Sequence, residues 1–284
     1  SYNTVVIGSG PGGLFAMLEL AKNNVKSLLV EKDKTVGGMA FNTDLNLQDY
    51  EGLPEKSNLG KSLFNSNDVA NKLIVEVFNT LRQYGLSDEV IKSRDNLNDF
   101  SDKISGEYQH VEHKTLPIKF TLLQKILGNM FNYLKNNKSS NILLNSEVKS
   151  IKKRSNSQWE IIIKKSSGES VSVMADNVIF ATGKLSVLWL LETLLSLGVG
   201  YKENSSICLG VRLEENAGRL TKITSKSLNP KIRIFKDNCQ AETFCWCANG
   251  GVMSYDFYGL KILDGVHLYE KPSKNTSFGV MVTL

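Results

Sequence analysis

The sequence predicts an α/β fold on a parallel sheet, with a three-stranded β-meander and a second β-rich region. Two observations carry this. Residues 5–31 read as a strand, a glycine turn, a helix and a second strand. Residues 142–182 then shift to short runs rich in β-branched residues that lead back into an apolar strand.

The opening is the more specific of the two. Val5-Val6-Ile7 breaks into Gly8-Ser9-Gly10-Pro11-Gly12-Gly13, Leu14 to Ala21 has helical spacing, and Leu28-Leu29-Val30 ends on Glu31-Lys32. Each glycine has a mechanical reason. Gly8 turns the chain out of the strand. Gly10 lets backbone approach a diphosphate, and Gly13 lets the helix pack closely on the sheet. The helix start offers unpaired N–H groups and a positive dipole end to phosphates. Glu31, 18 residues after Gly13, is placed to accept hydrogen bonds from ribose hydroxyls. A turn that only caps a helix is the plainer alternative. The preceding strand, the following helix and the spaced acid together favour a Rossmann-like nucleotide site.

Gly37-Gly38, followed by Met39-Ala40, separates the cofactors. A glycine pair soon after the second strand lets the chain pass close to a flavin dinucleotide, and a plain NAD domain has no need of one; a flexible surface loop is the plainer alternative, and coupling to the first motif favours FAD. Val69, Leu73, Val77, Phe78 and Leu81 follow at helical spacing, with Gly85 as a C-cap. Asp88 to Phe100 is polar and aperiodic, which suggests a surface insertion. Phe120 to Leu134 is helical again. Ile142 to Ile151, Trp159 to Ile163 and Ser170 to Met174 make the meander, and Asn177 to Thr182 the returning strand, closed by Ala181-Thr182-Gly183. Val187 to Leu197 is a helix. Runs at 207–213, 231–235, 243–247 and 278–283 are strand-like. The expected organisation is 1–60 as the first part of an FAD-binding domain, 61–105 as a helical insertion, 106–200 as its second part, and 201–284 as a β-rich substrate or cap region.

Composition excludes several classes. The chain has 284 residues, 41% hydrophobic and 22% charged, with a formal charge of +5, as in ordinary globular proteins. The lysines are scattered, and the densest run, Lys149 to Arg154, suits the solvent side of a strand, so nucleic acid is not an expected partner. No apolar stretch reaches the ~20 residues of a membrane span. The chain starts on a strand with no signal-peptide pattern, and its four cysteines then suggest free thiols and a cytoplasmic location.

These segments resemble the FAD-dependent dehydrogenases of bacteria, within the two-dinucleotide flavoproteins. The resemblance rests on Gly8 to Gly13 with Glu31 and Gly37-Gly38, on Leu209-Gly210-Val211-Arg212-Leu213-Glu214, and on Phe244-Cys245-Trp246-Cys247-Ala248-Asn249-Gly250-Gly251. The stretch from Asn275 to Thr283 also resembles that group. It implies FAD held by Gly8 to Gly13, Glu31, Lys32, Gly37 to Ala40 and Ala181 to Gly183, with Val148 joining them. It further implies an oxidoreductase moving a hydride between a small organic substrate and flavin N5. Two departures stand out. Lys184-Leu185-Ser186 occupies the place of a His-Ser, and the late Gly-Asp motif of the class is absent, so the C-terminal part is expected to be missing.

A single GxGxxG leaves no built-in NAD(P)H domain; NAD(P)H or another electron partner would bind transiently. For catalysis the candidates are Cys245, Cys247 and Arg212. Residues i and i+2 of a strand share a face, so the two thiols could meet a flavin or a metal together; a redox pair is a further reading, though a CxC disulfide is strained, and two small residues on a buried face is the plainer one. Arg212, a lone cation between Val211 and Leu213, could bind an anion or pair with an acid. His110 and His113 sit in a polar segment, His267 is isolated, and no metal-ligand spacing is present. Alternative readings are a non-catalytic dinucleotide-binding sensor and a flavin-dependent RNA-modifying protein.

Overall fold

A computed structural model describes residues 1–38, 67–87, 108–111, 120–154, 158–201, 208–226, 230–236, 239–268 and 272–283. From the N-terminus its elements are β1 (Tyr2–Ile7), α1 (Pro11–Lys22), β2 (Ser27–Val30), α2 (Asn67–Gln83), β3 (Tyr108–Val111), α3 (Phe120–Asn136), β4 (Ser140–Leu143), β5 (Ser146–Lys153), β6 (Trp159–Lys165) and β7 (Ser170–Phe180). A 3-10 turn at Lys184–Ser186 leads into α4 (Val187–Ser196), then β8 (Cys208–Asn216), α5 (Ala217–Thr224), β9 (Lys231–Lys236), β10 (Cys239–Cys247), β11 (Gly251–Phe257), β12 (Leu260–Val266) and β13 (Asn275–Thr283). The chain divides into two units, Ser1–Leu45 with Gln124–Lys202, and Asn46–Leu123 with Glu203–Leu284.

The first unit is built on a six-stranded sheet in the order β4-β2-β1-β7-β6-β5. Strands β4, β2, β1 and β7 run parallel, while β7, β6 and β5 form the antiparallel meander. The predicted meander strand at 170–174 and the returning strand at 177–182 are one continuous strand. Its residues 170–175 pair with β6 and residues 175–180 with β1, Ala175 facing both Trp159 and Tyr2. The run Ile142 to Ile151 divides instead. Its start pairs parallel with β2, and its end belongs to the meander after a kink at Asn145, whose φ is 49°. Asparagine tolerates the left-handed region better than other non-glycine residues, so the break needs no glycine.

Burial explains why the sheet holds. Val5, Ile7, Leu28, Val30, Val148, Ile151, Ile161, Ile163 and Ala175 form one apolar cluster that crosses both halves. Helix α1 buries Gly13, Leu14, Met17, Leu18 and Ala21, the stripe a 3.6-residue period demands. Helices at 120–136 and 187–196 match the expected spans within two residues. In α2, Leu81 is buried while Val69 and Leu73 stay exposed, and Gly85 follows it at φ 126°. The Asp88 to Phe100 stretch lies outside the described residues.

The second unit is built on a five-stranded sheet, β3-β9-β10-β13-β8, and a separate hairpin of β11 and β12. Residues 108–111, placed by sequence in the 106–200 segment, pair antiparallel with β9 in this sheet. The hairpin turns through Tyr258 and Gly259, both at positive φ (50° and 83°), as a two-residue type I′ loop requires.

Candidate functional site

The ends of the parallel strands in the first unit are tied into one loop cluster by backbone bonds. The Gly8 N–H donates to Val30 O (2.9 Å), that of Ala181 to Ile7 O (2.8 Å) and that of Gly37 to Ser9 O (2.8 Å). The Glu31 N–H donates to Leu143 O (2.8 Å). Ligands of open α/β sheets bind at this end of the strands.

The glycines divide into two kinds by what a side chain would meet. A Cβ on Gly8, whose φ is +96°, would come 2.4 Å from Ala181 O, and one on Gly13 would come 1.9 Å from Gly8 O. These two let the turn, the helix and the 181–183 tip pack flush. Among the described residues, a Cβ on Gly10 or Gly12 would meet nothing within 4 Å. Gly38, at φ +60°, lies against Gly10, its Cβ direction 3.3 Å from Gly10 Cα. Gly10 is the N-cap of α1 with no side-chain cap and Pro11 is at N1, so the first-turn amides of Gly12 and Gly13 have no helical acceptor. A bare, amide-bearing concavity at a helix N-terminus suits a dinucleotide diphosphate. The residues present fit FAD.

Glu31 does something the sequence did not suggest. It is buried, and its Oε2 accepts from the Ser9 N–H (2.8 Å) and the Ser9 hydroxyl (2.5 Å), while Oε1 accepts from the Asp33 N–H (2.9 Å). It therefore braces the glycine turn. Three donors leave a carboxylate lone pair for a ribose hydroxyl. The Val148 side chain is buried in the apolar cluster, beside a register shift between Val148 and Ser150, which leaves its main chain as the part able to face a ligand. Lys32 is exposed; Met39 and Ala40 lie outside the described residues.

A second constellation lies in the other unit. It brings Arg212, Cys245 and Cys247 together and adds Asp264, His267 and Ser277. Arg212 Nη2 donates to Ser277 Oγ (2.8 Å) and to Cys247 Sγ (3.2 Å). Cys245 Sγ donates to Asp264 Oδ1 at 3.8 Å. The strand does not place the thiols by simple alternation. The β10–β13 register shifts between Phe244 and Cys247, and Cys245 sits at φ 51° in that bulge. Cys247 is buried and Cys245 half-buried. Cys247 Sγ donates to the Cys245 carbonyl oxygen at 3.7 Å. The neighbouring Cys247 side chain holds the Cys245 thiol down to about 6; Arg212 adds to this, burial and Asp264 oppose it. The neighbouring Cys245 side chain, with burial, pushes Cys247 up. Burial and the Arg212 cation bring His267 down to about 4, so its imidazole is neutral at pH 7. His267 looks isolated in sequence because strand order, not spacing, sets it near Arg212. The His110 side chain and the whole of His113 lie outside the described residues. Among the described residues no group of three His, Cys, Asp or Glu side chains is arranged to hold a metal, and no helix is long and apolar enough to cross a membrane.

Residues 3–226 match a family described as FAD dependent oxidoreductase. No curated protein matches the chain. Among solved structures it is similar to an aklavinone-11 hydroxylase crystallised with FAD and aklavinone (TM-score 0.46, 11% identity, 99% of this chain and 46% of that one). It is also similar to a flavoprotein/dehydrogenase from Cytophaga hutchinsonii (TM-score 0.46, 14% identity, 99% and 55%). A third is THI4 of Thermovibrio ammonificans (TM-score 0.42, 15% identity, 70% and 64%). The chain thus spans about half the length of the first two.

Proposed function

We propose, from the premise that this chain belongs to the FAD dependent oxidoreductase family and uses FAD, that it transfers a hydride between a small organic substrate and the flavin. The observation that supports this is the bare cradle at Gly10, open where a diphosphate would lie and closed at Gly8 and Gly13 where the fold needs backbone contact. Gly10, Gly12 and Gly13 would hold the diphosphate through amides and the positive end of α1. Ser9 and Pro11 shape that turn, and Glu31, fixed by Ser9, would take a ribose hydroxyl with its remaining lone pair. Gly37 and Gly38 keep the next loop flush with the turn, and the Ala181-Thr182-Gly183 tip backs it. Lys32, Met39, Ala40 and the Val148 main chain complete the proposed cofactor set.

When bound, FAD supplies two-electron acceptance or donation at N5; the chain supplies position and polarity. Among the described residues the cradle is built from glycine backbone and a Glu31 committed to Ser9 and Asp33, so it binds rather than reacts. A transient NAD(P)H, or the substrate itself, serves as the reductant. The test is anaerobic mixing of the FAD-loaded protein with NADH, NADPH and a panel of alcohols, amines and hydroxy acids, following the visible flavin band. Bleaching by one donor within a turnover supports the proposal. Tight FAD binding with no bleaching by any of them would replace it with a non-catalytic binding role.

A further inference from the structure

The cluster around Arg212 holds chemistry that the flavin cradle does not use. Arg212 Nε is buried without a hydrogen-bond partner, and among the described residues no carboxylate pairs with this guanidinium. Its polar contacts are the Ser277 hydroxyl and the Cys247 sulfur. Ser277 in turn donates to Gly251 O (2.9 Å), so its hydroxyl is committed and presents a lone pair to Arg212. A half-buried cation so placed is balanced best by an anion at the thiols. Gly265 keeps the arrangement tight, since a Cβ there would come 1.7 Å from Arg212 Nη2 and 2.5 Å from Cys247 Sγ.

The backbone points the same way. Cys245 holds a left-handed φ, which is strained for a non-glycine residue, and it does so where pairing with β13 before and after the bulge fixes the strand. Across that bulge Cys247 Sγ lies 3.7 Å from the Cys245 carbonyl oxygen, and of the two thiols Cys247 is buried while Cys245 is only half-buried and open to an incoming disulfide. The charged and titratable neighbours are Arg212 from β8, Asp264 from β12 and His267 just beyond it. Arg212 favours a thiolate at Cys245. Asp264 opposes it, and His267, being neutral, adds no competing charge.

We propose that Cys245 and Cys247 form a redox-active dithiol that exchanges with small-molecule disulfides, Cys245 attacking and Cys247 resolving. The Cys245 thiolate attacks one sulfur of R–S–S–R. An S–S bond forms to the protein, the substrate S–S bond breaks, and one RS⁻ leaves. Cys247 gives up its proton to that thiolate and attacks Cys245 Sγ. The protein disulfide forms and the second RS⁻ departs. Two electrons pass from the dithiol to the substrate, which ends as two thiols, the second taking its proton from solvent. Stabilising the reduced form through a thiolate makes such a pair oxidising, so excess thiol returns the protein to the dithiol by the reverse steps. This inference does not rest on the flavin reading.

The experiment uses the whole reduced protein and oxidised glutathione at pH 7, quenched by alkylation and read by peptide-mapping mass spectrometry. The expected product is a Cys245–Cys247 disulfide with two glutathiones released per chain. Cys247→Ser should stop at one glutathione on Cys245, and Cys245→Ser should leave Cys247 unmodified. In a second arm, iodoacetamide labels the wild-type protein between pH 5.5 and 8.5. A Cys245 thiol with its midpoint at about 6 changes rate about fourfold over that range, against several hundredfold for an ordinary thiol. Arg212→Gln should steepen this dependence, with Arg212→Lys restoring part of it. Glutathione appearing first on Cys247, or both thiols staying reduced while Cys245 titrates like a free cysteine, would overturn the proposal. Because the wild-type protein carries the main readout, a variant that fails to fold does not decide it.

Discussion

Gly10 and Gly13 sit three residues apart in the same turn, yet replacing them should have opposite consequences. Gly10 has φ −60° and ψ 177°, an extended conformation open to any residue and favoured before a proline. A Cβ there meets nothing within 4 Å among the described residues. Gly10→Val exchanges a tolerated N-cap for a poor one, at about 1 kcal/mol, and recovers about 0.4–1 kcal/mol by restricting the unfolded chain. The fold should stay within about 1 kcal/mol of wild type. The diphosphate, however, would be pushed beyond hydrogen-bond reach of the first-turn amides. Each charge-assisted bond lost costs roughly 1.5–3 kcal/mol, so FAD should bind ten- to a hundredfold more weakly or worse. Gly13→Ala is the reverse case. Its Cβ would lie 1.9 Å from a backbone carbonyl oxygen that cannot swing away, so the helix must lift off the sheet, at about 3 kcal/mol or more. Chemical unfolding of the apo proteins and fluorescence titration with FAD separate the two effects. A Gly10→Val protein that binds FAD like wild type would mean that the diphosphate does not lie at this turn, and a Gly13→Ala protein as stable as wild type that the helix does not depend on that close approach.

Three further outcomes follow from named contacts. Glu31→Gln replaces an acceptor of three hydrogen bonds, two of them from Ser9, with a group that turns a donor toward one of its partners. The apo protein should lose about 1–3 kcal/mol in chemical unfolding, whereas a residue serving only a ligand ribose would leave apo stability unchanged. His267 has a folded pKa below its unfolded one, so its contribution is complete above about pH 6.5 and is lost as pH falls toward 4. Wild type should lose on the order of 3 kcal/mol relative to His267→Gln across that window; parallel stability curves would count against a half-buried neutral imidazole. The nearest atoms to a Cβ on Gly265 belong to side chains, the Arg212 guanidinium and the buried Cys247 Sγ, so Gly265→Ala must displace the guanidinium. The Cys245 labelling midpoint should then rise above about 6, and an unmoved midpoint would show that Arg212 does not act on this thiol.

What the sequence made visible was whatever depends on local backbone needs. The turn from Gly8 to Gly13, helix α1 and the pair Gly37-Gly38 are written in residues whose steric freedom has few other uses, and the opening β-α-β follows. Long-range pairing was not visible in the same way. Strand β7 changes neighbours at Ala175 while its residues keep one extended conformation, so nothing marks the point where one sheet role ends and the next begins. The β11–β12 hairpin was hidden because its turn uses Tyr258-Gly259 rather than a strong turn pair, and β3 is only four residues long. The thiol pair was visible as a spacing but not as a geometry, because alternation cannot anticipate a bulge with Cys245 at positive φ. The spacing of Glu31 points it toward the ligand, while its bonds to Ser9 depend on the turn folding back over the end of β2, which no local pattern encodes.

We propose that the glycine turn of the first unit, braced by Glu31, takes the diphosphate of FAD. Hydrogen–deuterium exchange of the whole protein with and without added FAD reads those amides one segment at a time. Slower exchange should concentrate at residues 8–14 and reach 31–38 and 181–183. FAD that binds while leaving residues 8–14 exchanging as before would contradict the account.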